Sequence, residues 1–113
     1  DTVGIQPSSN GLASLGVAGN GFSKLYLDYT NTGTVGAVTI NKASGRVNIA
    51  AAGTSIVVTN SLVTAASHVF AVMSSADATG RVISVVPGAG SFTITTVAVT
   101  GQSSFDFFVV NAD

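Results

Sequence analysis

The 113-residue sequence predicts an all-β domain, an antiparallel β-sandwich or jelly-roll-like fold of about eight short strands preceded by an extended N-terminal segment. Three observations predict it. Val, Ile, Thr and Phe gather in short runs bounded by Gly, Asn, Ser and Asp, the pattern of strands closed by turns. These runs recur at a spacing of about a dozen residues, as in sandwiches and barrels. Helix signals are nearly missing: the chain has no glutamate, other good helix formers are scarce, and apolar residues do not recur at three-and-four spacing over any long window. At this length one domain is expected. Residues 1–23 read as an extended or meandering segment that packs on neighbouring chains, and 24–113 as the sandwich.

The first predicted strand is Lys24–Tyr29, where Leu25, Leu27 and Tyr29 alternate with Lys24, Tyr26 and Asp28, the mark of a half-buried strand. A turn at Thr30-Asn31-Thr32-Gly33 leads to Val35–Ile40. Arg46–Ala50 follows after Ala43-Ser44-Gly45, so that these two strands are candidates for a hairpin. Ser55–Thr59 comes next and ends at Asn60. His68–Met73 is apolar on both faces, which predicts a central strand covered on both sides; its rival is a short helix over 62–70, favoured by Ala65 and Ala66 and opposed by β-branched neighbours. Arg81–Val86, Ser91–Val97 and Phe105–Asn111 complete the set, with turns at Pro87-Gly88-Ala89-Gly90 and Thr100-Gly101-Gln102-Ser103. In the last strand both faces are largely apolar, which implies either a central position or a second chain packed against it.

Charge is the outstanding feature of composition. Only 8% of residues are Asp, Glu, Lys or Arg, against about 25% in an ordinary soluble domain. Such a chain must cover its outside with Ser, Thr, Asn and Gly, or with another protein. A net charge of -1 and scattered basic residues, Lys24, Lys42, Arg46 and Arg81, argue against nucleic acid and anionic membranes as partners. No apolar run approaches the roughly 20 residues of a membrane-spanning helix. The absence of cysteine leaves the compartment open. The start, Asp1-Thr2-Val3-Gly4, lacks a signal-peptide pattern and an initiator Met, which suggests a processed product or a piece of something longer.

Catalytic chemistry finds few residues to use. His68 is the only histidine, and its place in an apolar run favours a hydrogen-bonded ring inside a sheet over a triad member. Paired carboxylates for glycoside hydrolysis would have to come from Asp28, Asp77 and Asp106. Asp77 reads instead as an Asx-turn residue in Ser74–Gly80, and Asp28 and Asp106 as strand residues alternating with aromatics. One histidine and dispersed aspartates do not supply a closed zinc site, and the glycines near Gly16–Gly21 lack the Lys-Ser/Thr of a phosphate loop. No catalytic residue, metal ligand or cofactor is therefore expected. Tyr26 and Tyr29 beside Lys24 and Asp28 suit a sugar ring, with ordinary core packing as the competing reading. Loops on a rigid sandwich commonly carry recognition, which adds Asn31–Gly33, Ser74–Gly80 and Pro87–Gly90. The candidate binding residues are Tyr26, Tyr29, Asn31, Asp77, Thr79 and Arg81.

Two stretches carry a resemblance. Leu12-Ala13-Ser14-Leu15-Gly16 followed by Gly21-Phe22-Ser23-Lys24-Leu25-Tyr26-Leu27 resembles an element near the ends of tail fibres and tailspikes of tailed bacteriophages. Gly36–Ile49, Val57–Ser61, Asp77–Thr79, Val85–Pro87 and Gly90–Ile94 are similar to a small β-domain that closes many phage virion proteins. The resemblance implies a homotrimeric C-terminal tip that locks three chains in register, often touches host-surface polysaccharide or another receptor, contacts other virion proteins, and carries no catalytic residue. It places the chain at the virion tail tip, outside the cell after assembly in the host cytoplasm. The alternative is a capsid decoration protein that cements the phage head, which would share the composition.

Overall fold

A computed structural model describes residues 18–111. Among them are eight strands and no helix: β1 (Tyr29–Val35), β2 (Val38–Thr39), β3 (Ser44–Ile49), β4 (Ser55–Thr59), β5 (His68–Met73), β6 (Arg81–Gly88), β7 (Ser91–Val97) and β8 (Ser103–Val110). They form two four-stranded sheets, ordered β1-β3-β8-β5 and β2-β4-β7-β6, packed as a β-sandwich. The expectation for residues 1–17 of the N-terminal segment lies outside the described residues.

Period-two patterning builds the core. Ile56 and Val58 of β4, Phe92 and Ile94 of β7, Val47 and Ile49 of β3, and Phe105 and Phe107 of β8 all point inward and are buried. Phe92 and Phe107 meet across the two layers with ring centroids 4.9 Å apart, within the range of favourable tilted aromatic pairs. Gly45 makes this closeness possible. A Cβ there would lie 2.9 Å from the Phe107 ring and 2.9 Å from the Thr30 carbonyl oxygen.

The topology departs from the expected hairpins. From β1 to β6 successive strands alternate between the sheets, so β1 pairs β3 in parallel and β2 pairs β4 in parallel. The sheets are therefore mixed rather than purely antiparallel. The expected hairpin of Val35–Ile40 with Arg46–Ala50 does not form: Val35 ends β1 and pairs in parallel with Asn48 of β3, while Val38 and Thr39 form β2 in the other layer. Gly36, at φ +93°, lets the chain turn sharply there. Only β6 and β7 follow each other as an antiparallel pair within one sheet. Pro87 and Gly88 belong to β6, and the turn sits instead at Ala89-Gly90, with Gly90 at φ +78°.

Two further expectations are corrected. Residues 24–28 are not a strand: β1 begins at Tyr29, and Thr30 to Gly33 lie inside it rather than in a turn. The reason is a missing partner, since β3 begins only at Ser44, opposite Tyr29. β5 is an edge strand, not a central one, and His68 is exposed. Its apolar outer residues thus face solvent. No helix forms over 62–70; β5 takes His68 to Phe70.

Asn60 ties the connections together. Its side chain donates to the Lys42 carbonyl at 2.8 Å and accepts from the Leu62 amide at 2.9 Å. Its own amide donates to the Gly90 carbonyl, and its carbonyl accepts from the Val63 amide. One fully buried residue therefore joins the β2–β3, β4–β5 and β6–β7 connections.

Candidate interaction surface

The sheet β1-β3-β8-β5 buries one face in the core and turns the other outward. On β8, Phe105 and Phe107 point in while Asp106 and Phe108 point out, and on β5 Phe70 and Val72 also point out. Phe70 and Phe108 are directly opposed in the β5–β8 register, and their rings stack with centroids 4.8 Å apart. Stacking does not hide them. Phe70 is 50% exposed, Val72 63% and Phe108 40%.

Residues 25–27 run beside this face as a strap ahead of β1. The Ser44 amide donates to the Asp28 carbonyl at 3.0 Å, which fixes the root of the strap, and Lys42 pairs with Asp28 at 3.5 Å. Beneath it lies an open groove of about 390 Å³, walled by Leu25, Tyr26, Leu27 and Tyr29 on the strap side and by Phe70, Val72 and Phe108 on the sheet. Leu25 remains 75% exposed and Tyr26 82%.

The groove lining has one charged residue. Asp106, which lines it, is opposite Arg46 in the β3–β8 register and accepts two hydrogen bonds from its guanidinium, Nε to Oδ1 at 2.8 Å and Nη2 to Oδ2 at 3.0 Å. That paired geometry fixes both side chains more firmly than a single contact does. The hydrogen bond to Asp106, supported by its charge, raises the Arg46 pKa.

A second polar constellation lies elsewhere. The Asp77 carboxylate accepts at Oδ1 from the amides of Thr79 (3.1 Å) and Gly80 (2.9 Å), and at Oδ2 from the Thr100 amide (2.9 Å), the Thr100 hydroxyl (2.7 Å) and the Gly101 amide (3.2 Å). The Thr100 hydroxyl, then the backbone amides of Gly80, Gly101 and Thr79, hold this carboxyl well below the usual carboxylate range against the opposing effect of desolvation. Asp77 is thus a latch between the β5–β6 and β7–β8 connections, and its Asx-turn role is as the sequence indicates. Thr79 is committed in part, since its hydroxyl donates to the Ala98 carbonyl at 2.8 Å.

Of the six sequence-derived candidates, Tyr26 and Tyr29 meet at the groove, while Asn31, Asp77, Thr79 and Arg81 do not line it. Asn31 sits where the β1–β3 register shifts, its side chain accepting from the Gly33 amide at 3.2 Å. Arg81 opens β6, exposed, opposite Val97. Sequence reasoning missed Phe70, Val72 and the Arg46–Asp106 pair as parts of one surface. The two-sided apolar pattern of β8 was the available signal. No family model, curated protein or solved structure matches this chain.

Proposed function

We propose that this chain is a non-enzymatic virion structural protein, the trimerising C-terminal tip of a tail fibre or tailspike of a tailed bacteriophage, with a share in attachment to host-surface polysaccharide or another receptor. The observation that carries this reading is the outward apolar face of β5 and β8, exposed on a chain with only 8% charged residues. Ordinary soluble monomers rarely leave a large contiguous apolar patch in water, and such patches mark interaction sites. Three copies meeting on this face would remove it from solvent and leave loops of Ser, Thr, Asn and Gly outside. Those loops, Ser74–Gly80 with its Asp77 latch among them, are then rigid enough to present Thr79 and Arg81 to a receptor.

Sedimentation equilibrium of the full chain tests the assembly. The expected mass is three times 11.2 kDa at micromolar concentration, and a stable monomer there overturns the proposal. Antibodies against the chain, applied to virions, are expected to label the tail tip; labelling of the head would replace the tail reading with a decoration protein.

A further inference from the structure

Six asparagines lie among the described residues, and five of them are tied down. Asn31 and Asn41 accept a hydrogen bond on the side-chain carbonyl, from the Gly33 and Ser61 amides. Asn48, Asn60 and Asn111 donate from the side-chain nitrogen to the carbonyls of Thr34, Lys42 and Leu62. Asn20 differs from all five. It is exposed, its carboxamide pairs with no described residue, and no described residue accepts from the amide of Gly21, which follows it. At none of the other five is the next residue a glycine.

These differences coincide with what cyclisation of an asparagine requires. The side chain has the length that lets its Cγ meet the next backbone nitrogen in a five-membered ring. The carboxamide must be free to swing toward that nitrogen, solvent must reach the nitrogen to take its proton, and the residue carrying it must not crowd the ring. Hydrogen bonds hold the five tied side chains in other directions, whereas a following glycine gives the ring space and backbone freedom.

We propose that Asn20-Gly21 is a site of spontaneous self-modification, where Asn20 becomes aspartate and isoaspartate through a cyclic imide. The Gly21 nitrogen gives its proton to solvent and bonds to Cγ of Asn20; the Cγ–Nδ2 bond breaks, and Nδ2 leaves as ammonia with a proton from water. Water then opens the imide. Breaking the ring bond to Cγ leaves aspartate, and breaking that to the main-chain carbonyl carbon leaves isoaspartate, in which the backbone runs through the side chain. Either product carries a carboxylate at neutral pH, which doubles the net charge of -1 just ahead, in sequence, of the apolar Leu25–Leu27 strap. The reaction needs only water, and it does not depend on the oligomeric reading above.

The test is incubation of the full chain in mildly alkaline buffer, folded and in concentrated urea, followed by tryptic digestion. Fragment-ion mass spectrometry of the peptide ending at Lys24 reads position 20 separately from the second Asn-Gly pair, Asn10-Gly11. Acid at position 20 is expected to form in the folded chain within about tenfold of its rate in urea, as for a segment whose local opening costs almost nothing, with isoaspartate among the products. Gly21→Ala, whose Cβ meets nothing within 4 Å, is expected to slow the reaction about tenfold, a barrier rise of about 1.4 kcal/mol. A folded-state rate more than about tenfold below the urea rate overturns the proposal, as does aspartate formed without isoaspartate or a Gly21→Ala rate equal to that of wild type.

Discussion

Replacing Asn60 by alanine removes the buried side chain that bridges the Lys42 carbonyl and the Leu62 amide. Both backbone groups then lose a partner that water cannot readily replace, because the site they faced is closed. Stranding a buried polar group costs about 1–3 kcal/mol. Two such groups give about 2–5 kcal/mol, a large share of a total stability on the order of 5–15 kcal/mol. At about 4 °C per kcal/mol for a domain of this size, the melting temperature falls by roughly 8–20 °C. Asn60→Asp sharpens the case. Its buried carboxyl can replace the donated bond to Lys42 only while protonated, so burial and the facing carbonyl raise its folded pKa above the unfolded value near 3.9. Relative to wild type, the variant therefore fares best below about pH 4 and loses stability as pH rises from there toward the folded pKa, each unit of separation being worth about 1.4 kcal/mol. Urea denaturation at pH 3.5, 5 and 7 measures both effects. An Asn60→Ala stability within about 0.5 kcal/mol of wild type, the ordinary range of an inconsequential surface change, or an Asn60→Asp profile parallel to wild type, would refute this account.

Two further perturbations test the scaffold. Gly45→Ala drives a methyl against the Phe107 ring and the Thr30 carbonyl oxygen; overpacking of this kind costs about 1–3 kcal/mol, read as a lower urea midpoint, and an unchanged midpoint would mean that Phe107 and Thr30 do not pack so closely on Gly45. The depressed pKa of Asp77 contributes stability that is fully present above the unfolded pKa near 3.9 and is lost as pH falls below it. Asp77→Asn is thus expected to lower the midpoint at pH 6 and to flatten its decline between pH 5 and pH 3, whereas a variant decline as steep as wild type would show that the latch contributes nothing.

Much of the fold was legible in local pattern, and the misreadings share a cause. Ser55–Thr59 and Ser91–Val97 are so clearly bounded by turn residues that their extents followed directly. Residues 24–28 alternate equally well, yet form no strand, because a strand needs a partner and β3 offers none before Ser44. His68–Met73 showed that both faces were apolar but not why: the pattern of a central strand and that of an edge strand awaiting another chain are the same in sequence. Asp77 was legible as a turn residue from Ser74–Gly80, but its partners Thr100 and Gly101 are more than 20 residues away. Arg46 and Asp106, 60 residues apart, became a pair only through the β3–β8 register.

By itself, then, the sequence determined an all-β chain, the extent of its regular strands, and a scarcity of charge that demands a covered surface. Those follow from residue chemistry and period-two geometry, which are local. Tertiary structure decided which strands are neighbours, which lie at the edges, and where the uncovered apolar surface sits. These depend on long-range pairing and on turns that send successive strands into opposite layers, and neither leaves a local trace. The demand for cover was written in composition; its location, on the outer face of β5 and β8 beside Leu25–Leu27, came from how the sheets assemble.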